Sequence, residues 1–168
     1  MAIYNVENVY YINQGTEPFA SLKLKDNTTV QEYGCGVCAY GMLICQKEGY
    51  DTSSEAKQVV VDLIQECTNN SGLIDTRFSD KTINGVTYSV TEVNDMAQQI
   101  MDGIPVVARF ADANNKAKHF VTVVGLDTSK SGMEAYIIKD PSKRANSNLQ
   151  QALNDYSGTS VRGKFIIS

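Results

Sequence analysis

The sequence predicts an α+β fold, with helices in its first half and an antiparallel sheet in its second. Three observations carry this. Between residues 35 and 67 apolar positions recur at helical spacing, and after residue 104 they gather in short runs rich in Val, Ile and Phe. The change of pattern also coincides with a change of charge. Residues 1–100 hold 6 basic and 13 acidic side chains and residues 101–168 hold 9 and 6, giving −7 and +3. The expected organisation is a single domain over 1–168, with a helical lobe over about 1–100 and a sheet lobe over about 101–168.

Each element has its own signal. Cys35–Glu48 is apolar nearly all round, through Val37, Ala39, Tyr40, Met42, Leu43 and Ile44, as in a helix buried between other elements, and Gly49 ends it. Asp51-Thr-Ser-Ser-Glu55 is a capped start for the next helix, which turns Ala56, Val59, Val60, Leu63, Ile64 and Cys67 inward. Asn69–Gly72 stops it. Asn84-Gly85, between Lys81–Ile83 and Val86–Val90, predicts a hairpin. Thr91–Asp102 reads as a third helix, with Val93, Met96, Ile100 and Met101 inward. Strands are expected at Pro105–Phe110, His119–Gly125, Ala135–Asp140 and Lys164–Ile167, with a short helix at Ser147–Tyr156.

Composition narrows the function classes. A chain of 168 residues, 42% apolar and 20% charged, can bury about two-thirds of its unfolded surface and needs no disulfides to fold. No apolar run approaches the ~18 residues of a membrane span, and the start Met1–Asn8 has neither the basic region nor the apolar core of a signal peptide. A net charge of −4 argues against nucleic acid as the main partner. The default oligomeric state is a monomer.

Chemistry centres on cysteine and histidine. Cys38, Cys45 and Cys67 lie on apolar helix positions and read as core residues. Cys35 differs: it stands in Tyr33-Gly34-Cys35-Gly36, where a turn becomes an apolar helix. A thiol there faces unpaired N–H groups and the positive end of the helix dipole, which favour the thiolate, and the glycines allow close approach of a ligand. Cys35 and Cys38 also form a C-x-x-C, which admits a redox dithiol. A zinc site lacks a second ligand pair, so no metal and no cofactor is expected.

His119 is the only histidine, so any imidazole chemistry is its own; the alternative is a structural histidine. It begins a strand, and the following strand ends at Asp140-Pro141. If the two form a hairpin, one natural register sets His119 opposite Asp140 and Gly125 opposite Glu134, and a slip of two leaves His119 and Asp140 diagonal neighbours. A carboxylate there would fix the imidazole tautomer; the plainer reading is that Asp140-Pro141 starts a turn.

In this order the motifs resemble the papain-like cysteine peptidases, in particular the branch that trims double-glycine leaders from bacteriocins and its stand-alone bacterial and phage relatives. Tyr10–Gly15 is similar to the early glutamine segment of that branch, Thr28–Met42 to its nucleophile turn and central helix, and Gly103–Val107 to the strand before the histidine. His119–Gly125 and Ile138–Pro141 resemble the histidine strand and the aspartate after it. The resemblance implies a two-lobed papain-like fold, with the cysteine on a buried central helix of the helical lobe and histidine and aspartate on the sheet lobe. It implies Cys35 as nucleophile, His119 as general base and then acid, and Asp140 as orienter. Gln14 would donate to the oxyanion hole, with Gln31, nearer in sequence, as the alternative. One departure is Val37-Cys38, where relatives often carry Pro and a small residue, and it opens a path to an internal disulfide.

The expected function is therefore a cysteine peptidase or amidohydrolase working through an acyl-enzyme. Its substrate would be a peptide, such as a Gly-Gly leader or a cell-wall peptide, the latter making it a peptidoglycan hydrolase. The expected location is the cytoplasm, or a phage-associated state released by lysis. Two other classes fit the residues: a thiol–disulfide oxidoreductase using Cys35 and Cys38, and a non-catalytic binding module on the same fold.

Overall fold

The computed structural model describes residues 1–168 and is a mixed α+β fold. In chain order the elements are β1 (Ile3–Asn5), α1 (Val30–Tyr33), α2 (Cys35–Glu48), α3 (Ser53–Cys67), β2 (Lys81–Ile83), β3 (Val86–Tyr88) and β4 (Val90–Glu92). The second half adds α4 (Met96–Met101), β5 (Val106–Ala111), β6 (Ala117–Asp127), β7 (Tyr136–Lys139), α5 (Leu149–Asn154) and β8 (Ser160–Ile167). This is the helices-then-antiparallel-sheet architecture that the sequence predicts.

Two helices of the first half end where local chemistry says they should. Helix α2 stops at Gly49, which takes the left-handed conformation (φ 73°) that a side chain would strain, and whose N–H closes on the carbonyls of Cys45 and Gln46. Helix α3 starts at Thr52 with a reciprocal capping box: the Thr52 hydroxyl accepts the Glu55 N–H, and the Glu55 carboxylate accepts the Thr52 N–H. Ten consecutive residues of α2, Gly36–Cys45, are buried, so this helix has no solvent face to speak of. Helix α3 covers one side of it with Val59, Val60 and Leu63.

The six-stranded sheet runs β1-β6-β5-β8-β4, with β7 also on β6, and every pairing is antiparallel. Strand β6 is its spine. It pairs β5 up to Val123, β1 from Gly125 to Asp127, and β7 from Thr122 to Leu126. Its faces serve two cores. Phe120 packs with Tyr40, Phe78 and Phe165 against the helical lobe, while Val121 and Val123 join Met96, Ile100, Leu149 and Ala152 of α4 and α5.

Residues 91–102 depart from the expected single helix. Val90–Glu92 pairs with Phe165–Ile167 as an edge strand, and the helix begins only at Met96, where the Asp95 carboxylate accepts the Gln98 N–H at 3.0 Å. The β-branched pair Val90-Thr91 and an internal cap override a helical period that spans only three turns.

One polar contact fixes the lobes against each other. Buried Thr122 on β6 donates its hydroxyl to the Ala39 carbonyl of α2 at 3.0 Å, so the strand that carries His119 is hydrogen-bonded to the helix that starts at Cys35. We expect Thr122→Val, which keeps the shape and removes the donor, to lower stability by about 1 kcal/mol. Urea unfolding should show the midpoint shift with an unchanged slope.

Candidate active site

Cys35 is the first residue of α2 and the one cysteine of four that is not buried. Burial pushes the thiols of Cys45 and Cys67 up to about 12, and that of fully enclosed Cys38 upward as well. Those three are packing residues. Gly36 follows Cys35 because there is no room for more: a Cβ there would stand 2.8 Å from the Ile74 side chain.

The imidazole of His119 faces Cys35 from β6. Opposite Phe110–Ala111 the strand carries a bulge that leaves Lys118 without a partner, a device that re-aims neighbouring side chains. His119 is 2% exposed. One of its faces is covered by Tyr156, stacked at 4.5 Å between ring centroids and 15° between planes, and Phe110 meets it edge-on at 5.7 Å.

Asp140 accepts from the ring at 2.8 Å between Nε2 and Oδ1. The β6–β7 register differs from the one expected: Thr122 faces Lys139 and Val123 faces Ile138, and a shift follows between Val123 and Gly125. Strand β7 therefore ends before reaching His119, and Asp140 contacts it diagonally from the turn. Since a carboxylate only accepts, Nε2 carries the proton and Nδ1 is left for Cys35. The carboxylate is 1% exposed yet saturated with donors. Oδ1 also accepts the Ser142 N–H at 3.0 Å and its hydroxyl at 2.9 Å, and Oδ2 accepts the Asn146 amide at 2.9 Å. The backbone of this turn is braced by the chain's first segment. The Tyr11 hydroxyl donates to the Asp140 carbonyl, and the Gln14 N–H donates to the Pro141 carbonyl at 2.9 Å.

The charges follow from these contacts. Burial works against a charged imidazole, but hydrogen bonding and electrostatic attraction toward Asp140 and Cys35 outweigh it and raise His119 to about 9. Burial likewise opposes the Asp140 anion, and the donors from His119, Asn146 and Ser142 overcome it and hold the carboxyl below its usual range.

Cys35, His119 and Gln14 line one cleft of about 300 Å³, together with Leu73, Ile74 and Tyr156. Gln14 is buried, and its side-chain nitrogen donates to the carbonyls of Gln31 (3.1 Å) and Val30 (3.3 Å), while Oε1 has no protein partner. Gln31 is exposed and does not line the cleft; only its carbonyl meets Gln14. The sequence reading missed Ser142, Asn146, Tyr11 and Tyr156. Ser142 had a signal, since Asp-Pro-Ser favours a turn in which the aspartate accepts from the residue two ahead. Tyr156 had none, because only the packing of α5 brings it over His119. No cluster of His, Cys, Asp and Glu could hold a metal ion, and no helix is long and apolar enough to cross a membrane.

The model of the Peptidase_C39 like family matches residues 6–162. Neither the curated proteins nor the solved structures contain a significant match to the chain.

Because His119 is the only histidine, its titration can be read directly by NMR. We expect a midpoint near 9 in the folded protein, moved down in Asp140→Asn. Stability follows with a definite sign. The His119 contribution is complete below about pH 6.5, the unfolded value, and is lost as pH rises through about 9. The Asp140 contribution is present above about pH 4 and is lost as pH falls through the depressed value of the folded state. The urea-midpoint gap between wild type and His119→Gln should therefore be wide at pH 6 and narrow at pH 9.5.

Proposed function

The chain belongs to the Peptidase_C39 like family, a branch of the papain-like cysteine peptidases, and we propose that it hydrolyses a peptide or peptide-like amide through Cys35, His119 and Asp140. The observation that carries this reading is the alignment of the three: Cys35 at a helix start, His119 beside it in the same cleft, and Asp140 bonded to the far ring nitrogen at 2.8 Å. Residues 1–168, helical and sheet lobes together, act as one catalytic unit.

Cys35 Sγ, its proton held by the imidazole, attacks the substrate carbonyl. The tetrahedral oxyanion lies at the start of α2, where the first N–H groups of a helix have no internal partner. Gln14 supplies a second donor by releasing the longer of its two bonds, the 3.3 Å contact to Val30. His119 then protonates the leaving amine, and the acyl-enzyme forms. Water, deprotonated by the same ring, attacks the thioester and returns the enzyme. Asp140 stays ionised and keeps Nδ1 aimed at sulfur throughout. Tyr156 shields the His119–Asp140 bond from water, which preserves its strength. Substrates that fit include a Gly-Gly leader and a cell-wall peptide, since both are extended chains that can lie along an open cleft.

Native-state alkylation with iodoacetamide at pH 6, read by peptide mass spectrometry, tests the core of this reading. Cys35 should label ahead of Cys38, Cys45 and Cys67, and His119→Ala should slow it by about two orders of magnitude or more. Cys35→Ala should abolish hydrolysis of any peptide the wild type cleaves. Reversible Cys35–Cys38 disulfide formation with labelling indifferent to His119 would favour dithiol redox chemistry instead.

A further inference from the structure

The cleft does not end at Leu73 and Ile74. These two residues, with Ala117 and Phe120, also wall a second cavity of about 420 Å³, so the two spaces adjoin along one side of the site. The second cavity is lined by four cations, Arg77, Arg109, Lys116 and Arg162, over an aromatic floor at Phe165, and by no carboxylate. In a chain of net charge −4 this is a local reversal of sign, and it accounts for much of the excess of basic residues in the second half.

Most of that charge is not neutralised within the protein. Arg77 pairs with Glu92 at 2.7 Å. Arg109, Lys116 and Arg162 have no carboxylate within salt-bridge distance. The only carboxylate lining the catalytic cleft, Glu32, is held in the Thr29 capping box. Arg109 is the best defined of the three. Its Nη1 donates to the Asn115 side chain (2.8 Å) and the Arg162 carbonyl (3.0 Å), and its Nη2 donates to the Asn115 carbonyl (2.7 Å). All three acceptors are neutral, so the guanidinium is fixed in place with its charge intact. Its Nε–H and second Nη2–H have no protein acceptor, and they lie along the edge of the guanidinium that grips a carboxylate side-on.

We propose that this cavity is a specificity subsite that selects substrates carrying a carboxylate, with Arg109 as the fork and Arg162 and Lys116 as supporting charge. The proposal rests on the cysteine peptidase reading of the adjoining cleft and names the substrate class for it. The peptide crosses Leu73 and Ile74 as extended chain, and the acidic group, a side chain or a free chain end, turns down to Arg109. An open cavity lined by cations attracts such substrates, and it disfavours basic ones at the same position.

The test uses alkylation of Cys35 by iodoacetamide as the reporter and Gly/Ala hexapeptide amides as competitors. A single Glu is walked through the sequence, each peptide is matched by its Gln counterpart, and the Gln peptides are repeated with a free terminal carboxylate. At least one acidic peptide should protect Cys35 at a concentration about tenfold below its neutral match. Advantage in the Glu amides identifies a side-chain carboxylate; advantage confined to free-acid peptides identifies a chain terminus. Either advantage should fall towards one in Arg109→Gln, and also in the exposed double variant Lys116→Gln/Arg162→Gln, which leaves the Arg109 anchor to Asn115 in place. The Arg109 Nε–H resonance, followed by NMR in the same titrations, should shift with the acidic peptides only, and it reports occupancy whether or not Cys35 reacts. Equal protection by Glu and Gln peptides, an unmoved Arg109 resonance, or an advantage that survives both variants overturns the proposal. Cys35 labelling that ignores His119, with the Arg109 shift intact, overturns the peptidase reading and leaves the carboxylate site standing.

Discussion

The bond between His119 and Asp140 is the interaction on which the site depends, and it sits where an ion pair is most expensive to form. Both side chains are withdrawn from water almost completely, and burial alone would discharge each of them. What offsets that penalty is saturation. Asp140 collects donors from His119, Ser142 and Asn146, and Asn146 in turn reaches Asp155, which pairs with Lys143 at the surface. The negative charge is thus spread outward through a chain of partners that ends in solvent. Removing His119 leaves the Asp140 charge buried without its counter-charge, and removing Ser142 or Asn146 takes away donors that offset its burial, so the network acts as a unit rather than as a sum of bonds.

The architecture serves this pair from three directions. Strand β6 supplies His119 and is itself held by three other strands and by the Thr122 bond to α2. The turn after β7 supplies Asp140. The amino-terminal segment then locks that turn by its backbone, through Tyr11 and Gln14. Gln14 is tied at both ends, its backbone to Pro141 and its side chain to α1, just before Cys35. A single residue thereby spaces the cysteine helix from the aspartate turn.

Much of this was legible in the sequence wherever a periodic pattern was long or a residue type was rare. The bounds of α2 followed from its continuous apolar run and Gly49, and α3 followed from its amphipathic stripe and the Thr52–Glu55 box. Cys35 and His119 stood out because one opened a buried helix and the other was alone. Short elements escaped. Val90–Glu92 is three residues long and owes its strand character to Phe165–Ile167, which lie more than seventy positions away. The β6–β7 register escaped for a related reason: Gly132–Ala135 forms a 3-10 turn rather than the start of a strand, so Gly125 faces Ile137 instead of Glu134. Tyr156 and Asn146 were illegible because their roles are purely tertiary. Neither belongs to a motif, and each acts through a partner that only the folded chain brings near.

The placement of β8 has a consequence for how the molecule comes into being. The last strand in sequence is an interior strand of the sheet, between β5 and β4, and the first, β1, closes on the far end of β6. Such pairings are strongly non-local, with Ile3 on Asp127 and Val90 on Ile167, which makes folding slow relative to a helical bundle of the same size. On a ribosome the cysteine helix emerges early, with its thiol in place, but the sheet that aligns His119 cannot close until Ser160–Ile167 has left the exit tunnel. A chain that has not yet added Ser160–Ile167 therefore presents Cys35 without His119 aligned beside it.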